Sequence, residues 1–196
     1  MSKPPVPGGL ILHGHAVHKF FVRKFRARDV ASDGLSVLPG RQPYFDGPIG
    51  RNIIVQEGNK HLLLCACGAP TTPPGYLSND NVFLGVSDNE ATPLRNDVGL
   101  GGNNKLYRGA IPHLIDAGGG EYYLESATGF GAQEANWLWA RASFCVYDNN
   151  AQPPSDDTVS GCINLGMAAV SSITSPGSLI KTEGEIWVLT SRFSVW

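Results

Sequence analysis

The chain has 196 residues, of which 42% are hydrophobic and only 16% charged, with a formal net charge of −2. That is enough for one sizeable core and too little for two complete domains, so one domain plus extensions is expected. No apolar run approaches the roughly 18 to 20 residues of a membrane span, and the start has no signal-peptide pattern, so a soluble protein made in the cytoplasm is expected.

Residues 1–28 carry Lys3, Lys19, Arg23, Lys24, Arg26 and Arg28 and no acid, whereas residues 29–196 hold the other nine bases and all 17 acids. Such asymmetry predicts that the basic segment meets another molecule. Residues 1–9, rich in Pro and Gly, should be extended. The mixed apolar and basic stretch Leu10–Arg28 is followed by turn pairs such as Asp33-Gly34 and Pro39-Gly40, so residues 1–50 read as an extended N-terminal arm and 51–196 as the folded domain.

The one helix expected starts at Asn52 as cap, carries Ile53, Ile54, Glu57, His61, Leu64 and Cys65 at helical spacing, and ends at Gly68 before Pro70. Gly58 sits awkwardly in its middle. After a loop over 69–81, strands are expected at 82–86, 105–112, 121–127, 137–147, 161–170 and 186–196. In the last of these Trp187, Leu189, Phe193 and Val195 share one face, and the alternation runs to Trp196, which should be packed. The fold class that follows is mainly β: an antiparallel β-sandwich with one short α-helix and an N-terminal arm.

Motifs for catalysis are sparse. There is no phosphate-binding G-x-x-x-x-G-K-[ST], no H-E-x-x-H and no G-x-S-x-G, and Gly118-Gly119-Gly120 reads as a hairpin loop. Glu121, Glu125 and Glu134 are the only candidates for the carboxylate pair of a polysaccharide-degrading enzyme. His13 and His15 would point to one side of an extended segment, about 6–7 Å apart, with His18 pointing away, and they read as surface or interface imidazoles. No cofactor is expected. Cys65, Cys67, Cys145 and Cys162 fit neither a disulfide scaffold nor a zinc ribbon; free buried thiols are expected, a Cys145–Cys162 bridge being conceivable but not required. Trp137 and Trp139 alternate around Leu138 as core, or as a sugar platform.

The stretch Lys19–Arg28 can be read as contacting nucleic acid or as docking on an acidic protein surface. The acidic remainder of the chain favours docking, with Phe20, Phe21 and Phe25 as apolar anchors and Arg23, Lys24, Arg26 and Arg28 as polar contacts. The competing readings are a carbohydrate- or receptor-binding module built on Trp137, Trp139 or Tyr122-Tyr123, and the enzyme above.

Several segments resemble a widespread family of small virion proteins of tailed bacteriophages. In that family a helix precedes a strand reading roughly VGTGTT.P...DT.LG, matched loosely here by Gly85, Glu90–Pro93 and Asp97, with Val86-Ser87 where Gly-Thr is common. Glu134-Ala135-Asn136-Trp137 match a later F...EAN segment. Lys181-Thr182, Gly184, Trp187 and Leu189-Thr190 match a final KT.G..W.LT. The resemblance spans residues 51–196 and implies a non-enzymatic β-sandwich of the virion, made in the host cytoplasm. It would sit in the tail, fibre, neck or head decoration, partnered by other virion proteins or by copies of itself, with neither nucleic acid nor membrane as partner.

Overall fold

The computed structural model describes residues 16–50, 52–66, 77, 81–147, 154, 162–170 and 179–195. His13, His15, Cys67 and Trp196 lie outside them, as does nearly all of the loops expected at 69–81 and 149–158. Two antiparallel sheets of five strands each make up the fold. The first contains β1 (Ala16–Phe25), β2 (Phe45–Pro48), β6 (Ile111–Gly118), β7 (Glu121–Phe130) and β10 (Ile186–Val195), in the order β2-β1-β10-β7-β6. The second contains β3 (Asn52–Ile54), β4 (Val82–Ser87), β5 (Lys105–Gly109), β8 (Arg141–Tyr147) and β9 (Cys162–Ala169), in the order β3-β9-β8-β4-β5. The mainly β sandwich class therefore holds.

The core lies between the sheets. Phe20 and Val22 of β1, Phe130 of β7, and Trp187 and Leu189 of β10 meet Val82, Leu84 and Val86 of β4, Ala142, Phe144 and Val146 of β8, and Leu165 and Ala168 of β9. On β1, β4, β8 and β10 these are alternate residues, as a pleated strand with one face inward requires, whereas on β9 Leu165 and Ala168 are three apart because a bulge opposite Phe144 and Cys145 shifts the register. Strand β4 is buried at all six positions. Its other face carries Phe83, which packs in a second cluster with Leu100, Tyr107, Cys145 and Cys162. The second sheet is thus covered on both faces, and β4 reads as an unbroken apolar run for that reason. Cys145 and Cys162 are both buried, and neither is in a disulfide.

Three expectations need correction. The largest concerns the arm: residues 16–25 are β1, which pairs along its whole length with β10 and on its other side with β2, so this segment is an interior strand of the first sheet. Backbone groups of an extended segment gain partners by joining the sheet, and alternate side chains gain a core. Second, Asn52–Ile54 is a strand on β9 and does not cap a helix; the helix, α1, runs Gln56–Ala66. Third, the strand expected at 105–112 breaks at Ala110, where the chain leaves the second sheet as β5 and enters the first as β6. The glycines that end β6 and follow it do form a hairpin loop, with φ of +83°, +65° and +85° at Gly118, Gly119 and Gly120, which only glycine adopts freely.

Candidate functional site

The structure divides the seven proposed docking residues, five of them in β1 and Arg26 and Arg28 just beyond it. Phe20 (1% exposed), Lys24 (1%) and Phe25 (7%) are enclosed by their own protein, so they cannot anchor a partner. Phe21 is half-buried, and Arg23, Arg26 and Arg28 are exposed. The reason is register. Lys24 lies opposite Trp187 on one side and Phe45 on the other. Its ammonium sits 4.1 Å from the Trp187 ring centroid and 5.1 Å from that of Phe45, where the negative ring faces take the place of water. Burial lowers the Lys24 pKa to about 8, against the opposing pull of Glu185. Glu185 accepts from the Tyr44 hydroxyl at 3.1 Å and from Trp187 Nε1 at 3.1 Å. Beside this cage the Arg26 guanidinium lies 5.3 Å from the Tyr44 ring, and Arg26, Arg28 and Arg23 form a basic corner at the end of β1.

The outward face of the first sheet carries a groove toward the opposite end of β1. Arg192 lies opposite Lys19 of β1 and Glu125 of β7. Its Nε donates to Glu125 Oε2 at 2.6 Å, while its guanidinium carbon stands 4.6 Å from the Phe21 ring and 5.2 Å from the Tyr123 ring. Three strands thus contribute one stacked unit, Phe21–Arg192–Tyr123. With Lys19, Glu121 and Tyr122 it lines a groove of about 210 Å³.

The two segments that carry the virion-protein resemblance most closely meet inside the molecule. Lys181 is fully buried, and its Nζ donates to Asn136 Oδ1 at 2.7 Å and to the Gly131 carbonyl at 2.8 Å. Lys181 N also donates to the Trp137 carbonyl, and Gly184, at φ +87°, donates to the Ala132 carbonyl. Burial lowers the Lys181 pKa to about 8, with Glu185 and Glu134 pulling the other way. Glu134 accepts from Gly131 N at 3.0 Å and from the Arg108 guanidinium. Burial would raise the Glu134 pKa, but these hydrogen bonds and the Arg108 and Lys181 charges outweigh it and hold the carboxyl below its ordinary value. This latch ties the loop after β7 to the turn before β10.

The remaining candidates separate. Glu121 and Glu125 share one face of β7 four residues apart, or about 13 Å, beyond the roughly 5–9.5 Å that a glycosidase pair spans. Glu125 and Glu134 each pair with a different arginine. Among the described residues no three His, Cys, Asp or Glu side chains converge in a way that could hold a metal. His18 is a core residue: its ring is 4.4 Å from that of Phe20, and its Nε2 is 2.7 Å from Ser191 Oγ. Trp139 is core too, edge-on to Phe130 and Trp187 at 4.9 Å each, and its Nε1 donates to the Ala135 carbonyl. Trp137 packs half-buried against the same core, so neither Trp forms a platform. No helix among the described residues is long and apolar enough to cross a membrane. Comparison with protein-family models, curated proteins and solved structures found no match.

Proposed function

We propose that this protein is a non-enzymatic structural component of a tailed-bacteriophage virion that docks on neighbouring subunits through the basic corner Arg23–Arg26–Arg28. The observation that carries the reading is the Lys181–Asn136 latch. The two segments on which the resemblance rests most, 134–137 and 181–190, act as one interlocked unit, which is what a motif kept for folding a sandwich needs. The docking surface follows from charge. Arg26 and Arg28 are exposed on a chain whose acids all lie beyond residue 28, so a second copy, or another acidic subunit, presents the complement. Repetition on a symmetric particle makes weak contacts of this kind sufficient.

Removing residues 1–28 is not a test of docking, because it deletes an interior strand. The test is the pair Arg26→Glu and Arg28→Glu, both on exposed side chains, introduced together into the producing phage. Purified particles should contain the native protein at fixed stoichiometry by mass spectrometry, and the doubly reversed protein should fall at least about tenfold, the effect of 1.4 kcal/mol. Absence of the native protein from particles rejects the virion role. Undiminished incorporation of the variant rejects the corner as the contact.

A further inference from the structure

We infer that the groove formed by Lys19, Phe21, Glu121, Tyr122, Tyr123 and Arg192 binds a neutral saccharide, one sugar ring lying against the aromatic side chains with its hydroxyls on the charged rim. A pyranose presents two kinds of surface. One is a face of C–H bonds, apolar and weakly positive, which suits the negative face of an aromatic ring. The other is a rim of hydroxyls, each of which donates and accepts, so a site for it needs both kinds of group within reach. The groove supplies both. Phe21 of β1 and Tyr123 of β7 provide ring surface on either side of Arg192. Lys19 and Arg192 can only donate, Glu121 accepts when ionised, and the tyrosine hydroxyls do either.

Two further features select the ligand. The first is preorganisation: Arg192 is clasped between two rings and tied to Glu125, so its donors point the same way before a ligand arrives. The second is the combination of size and charge. At about 210 Å³ the groove is smaller than the roughly 300–1,000 Å³ of sites for drug-sized ligands, which suits a single ring better than a peptide segment. Lys19 and Arg192 are balanced by Glu121 and Glu125, so the local field attracts neither a polyanion nor a polycation, and nucleic acid is a poor complement. A neutral polyhydroxyl ligand is what remains. The groove and the basic corner share no residue, so this inference can fail while the docking surface stands.

The experiment is saturation-transfer NMR on the full chain with the methyl glycosides of glucose, galactose, mannose and N-acetylglucosamine, followed by titration calorimetry on any that respond. At least one should show transfer and a millimolar affinity. Tyr123→Ala and Phe21→Ala should each weaken it roughly 2- to 10-fold, the range for one aromatic contact. Leu63→Ala on the exposed side of α1 should leave it unchanged, and melting curves would show that Tyr123→Ala is folded. Silence from all four glycosides at tens of millimolar overturns the inference. So does binding that survives both aromatic substitutions. A groove that instead seats a second copy would show a concentration-dependent dimer in sedimentation, abolished by Tyr123→Ala, and that result also overturns it.

Discussion

Gly58 shows how one position can mislead when only its neighbours in sequence are considered. Gly in a helix interior costs about 1 kcal/mol relative to Ala, so its place in the middle of α1 looks like a weakness. In the fold it is the point where α1 rests on β9. A Cβ at 58 would stand 2.5 Å from Leu165 Cα and 2.6 Å from the Asn164 and Leu165 carbonyl oxygens, all backbone atoms that cannot rotate away. The two effects oppose each other, and packing is the larger: forced overpacking costs typically 1–3 kcal/mol, against a propensity gain near 1. Gly58→Ala should therefore destabilise by up to about 2 kcal/mol in urea unfolding. A stabilised variant would mean that α1 can lift from β9 at little cost. Gly166 is tight for a similar reason, since its Cβ would fall 2.1 Å from His18 Nδ1.

At the scale of elements, legibility depended on how cleanly each strand separates its two faces. Strands β4, β8, β9 and β10 have strongly apolar inward rows and were readable as strands from alternation or from an apolar run. Strand β1 was not. Its inward row is His18, Phe20, Val22 and Lys24 and its outward row Val17, Lys19, Phe21 and Arg23, so each row mixes apolar with basic residues and neither looks like a core face. Only partners far along the chain explain the pattern: Ser191 for His18, and Trp187 with Phe45 for Lys24. The groove was half legible for the same reason. Tyr122, Tyr123 and Phe21 stand out locally, but Arg192 joins them only through the pairing of β10 with both β1 and β7. The latch is another long-range element, and it predicts a coupling. Lys181→Met keeps the side-chain volume but leaves Asn136 Oδ1 without this donor, a bare acceptor costing roughly 1–3 kcal/mol, while the Gly131 carbonyl, which still accepts from Glu134 N, adds less. The buried cation it removes is itself unfavourable, which offsets part of that, so the net loss should be about 1–3 kcal/mol at pH 7. Asn136→Ala should lose less, and the double variant should fall short of the sum by at least about 0.5 kcal/mol. Strict additivity in the urea midpoints would show that the two side chains do not act together.

For the whole molecule, the buried ionisable groups give stability a defined shape in pH. His18 is enclosed, and burial lowers its pKa to about 3, from 6.5 in an unfolded chain. Between those values the unfolded chain binds a proton that the fold refuses, so stability is lost as pH falls from about 6.5 to 3, at about 1.4 kcal/mol per pH unit for one proton. His61 is lowered by burial in the same direction and adds to that limb. On the alkaline side Lys24 and Lys181, both at about 8 in the fold and 10.5 outside it, are protonated in both states below pH 8. Above it the fold sheds their protons first, so both favour folding increasingly as pH rises from 8 toward 10.5. Tyr44 acts in the opposite sense. Its pKa is raised to about 12, first by burial and then by the Glu185 charge and hydrogen bond, so the unfolded chain ionises from pH 10 while the fold does not. Stability should therefore climb to pH 6.5, hold level to about 8, rise again to about 10 and then turn over. Urea unfolding at pH 5, 7, 9 and 11 would trace this course. His18→Gln, which keeps a hydrogen-bonding group near Ser191 but does not titrate, should flatten the acid limb and leave the alkaline one in place. An acid limb of unchanged slope in that variant would transfer the acid sensitivity to the carboxylates, and a flat course from pH 8 to 10 would mean that Lys24 and Lys181 keep their protons in the folded protein as they do in water.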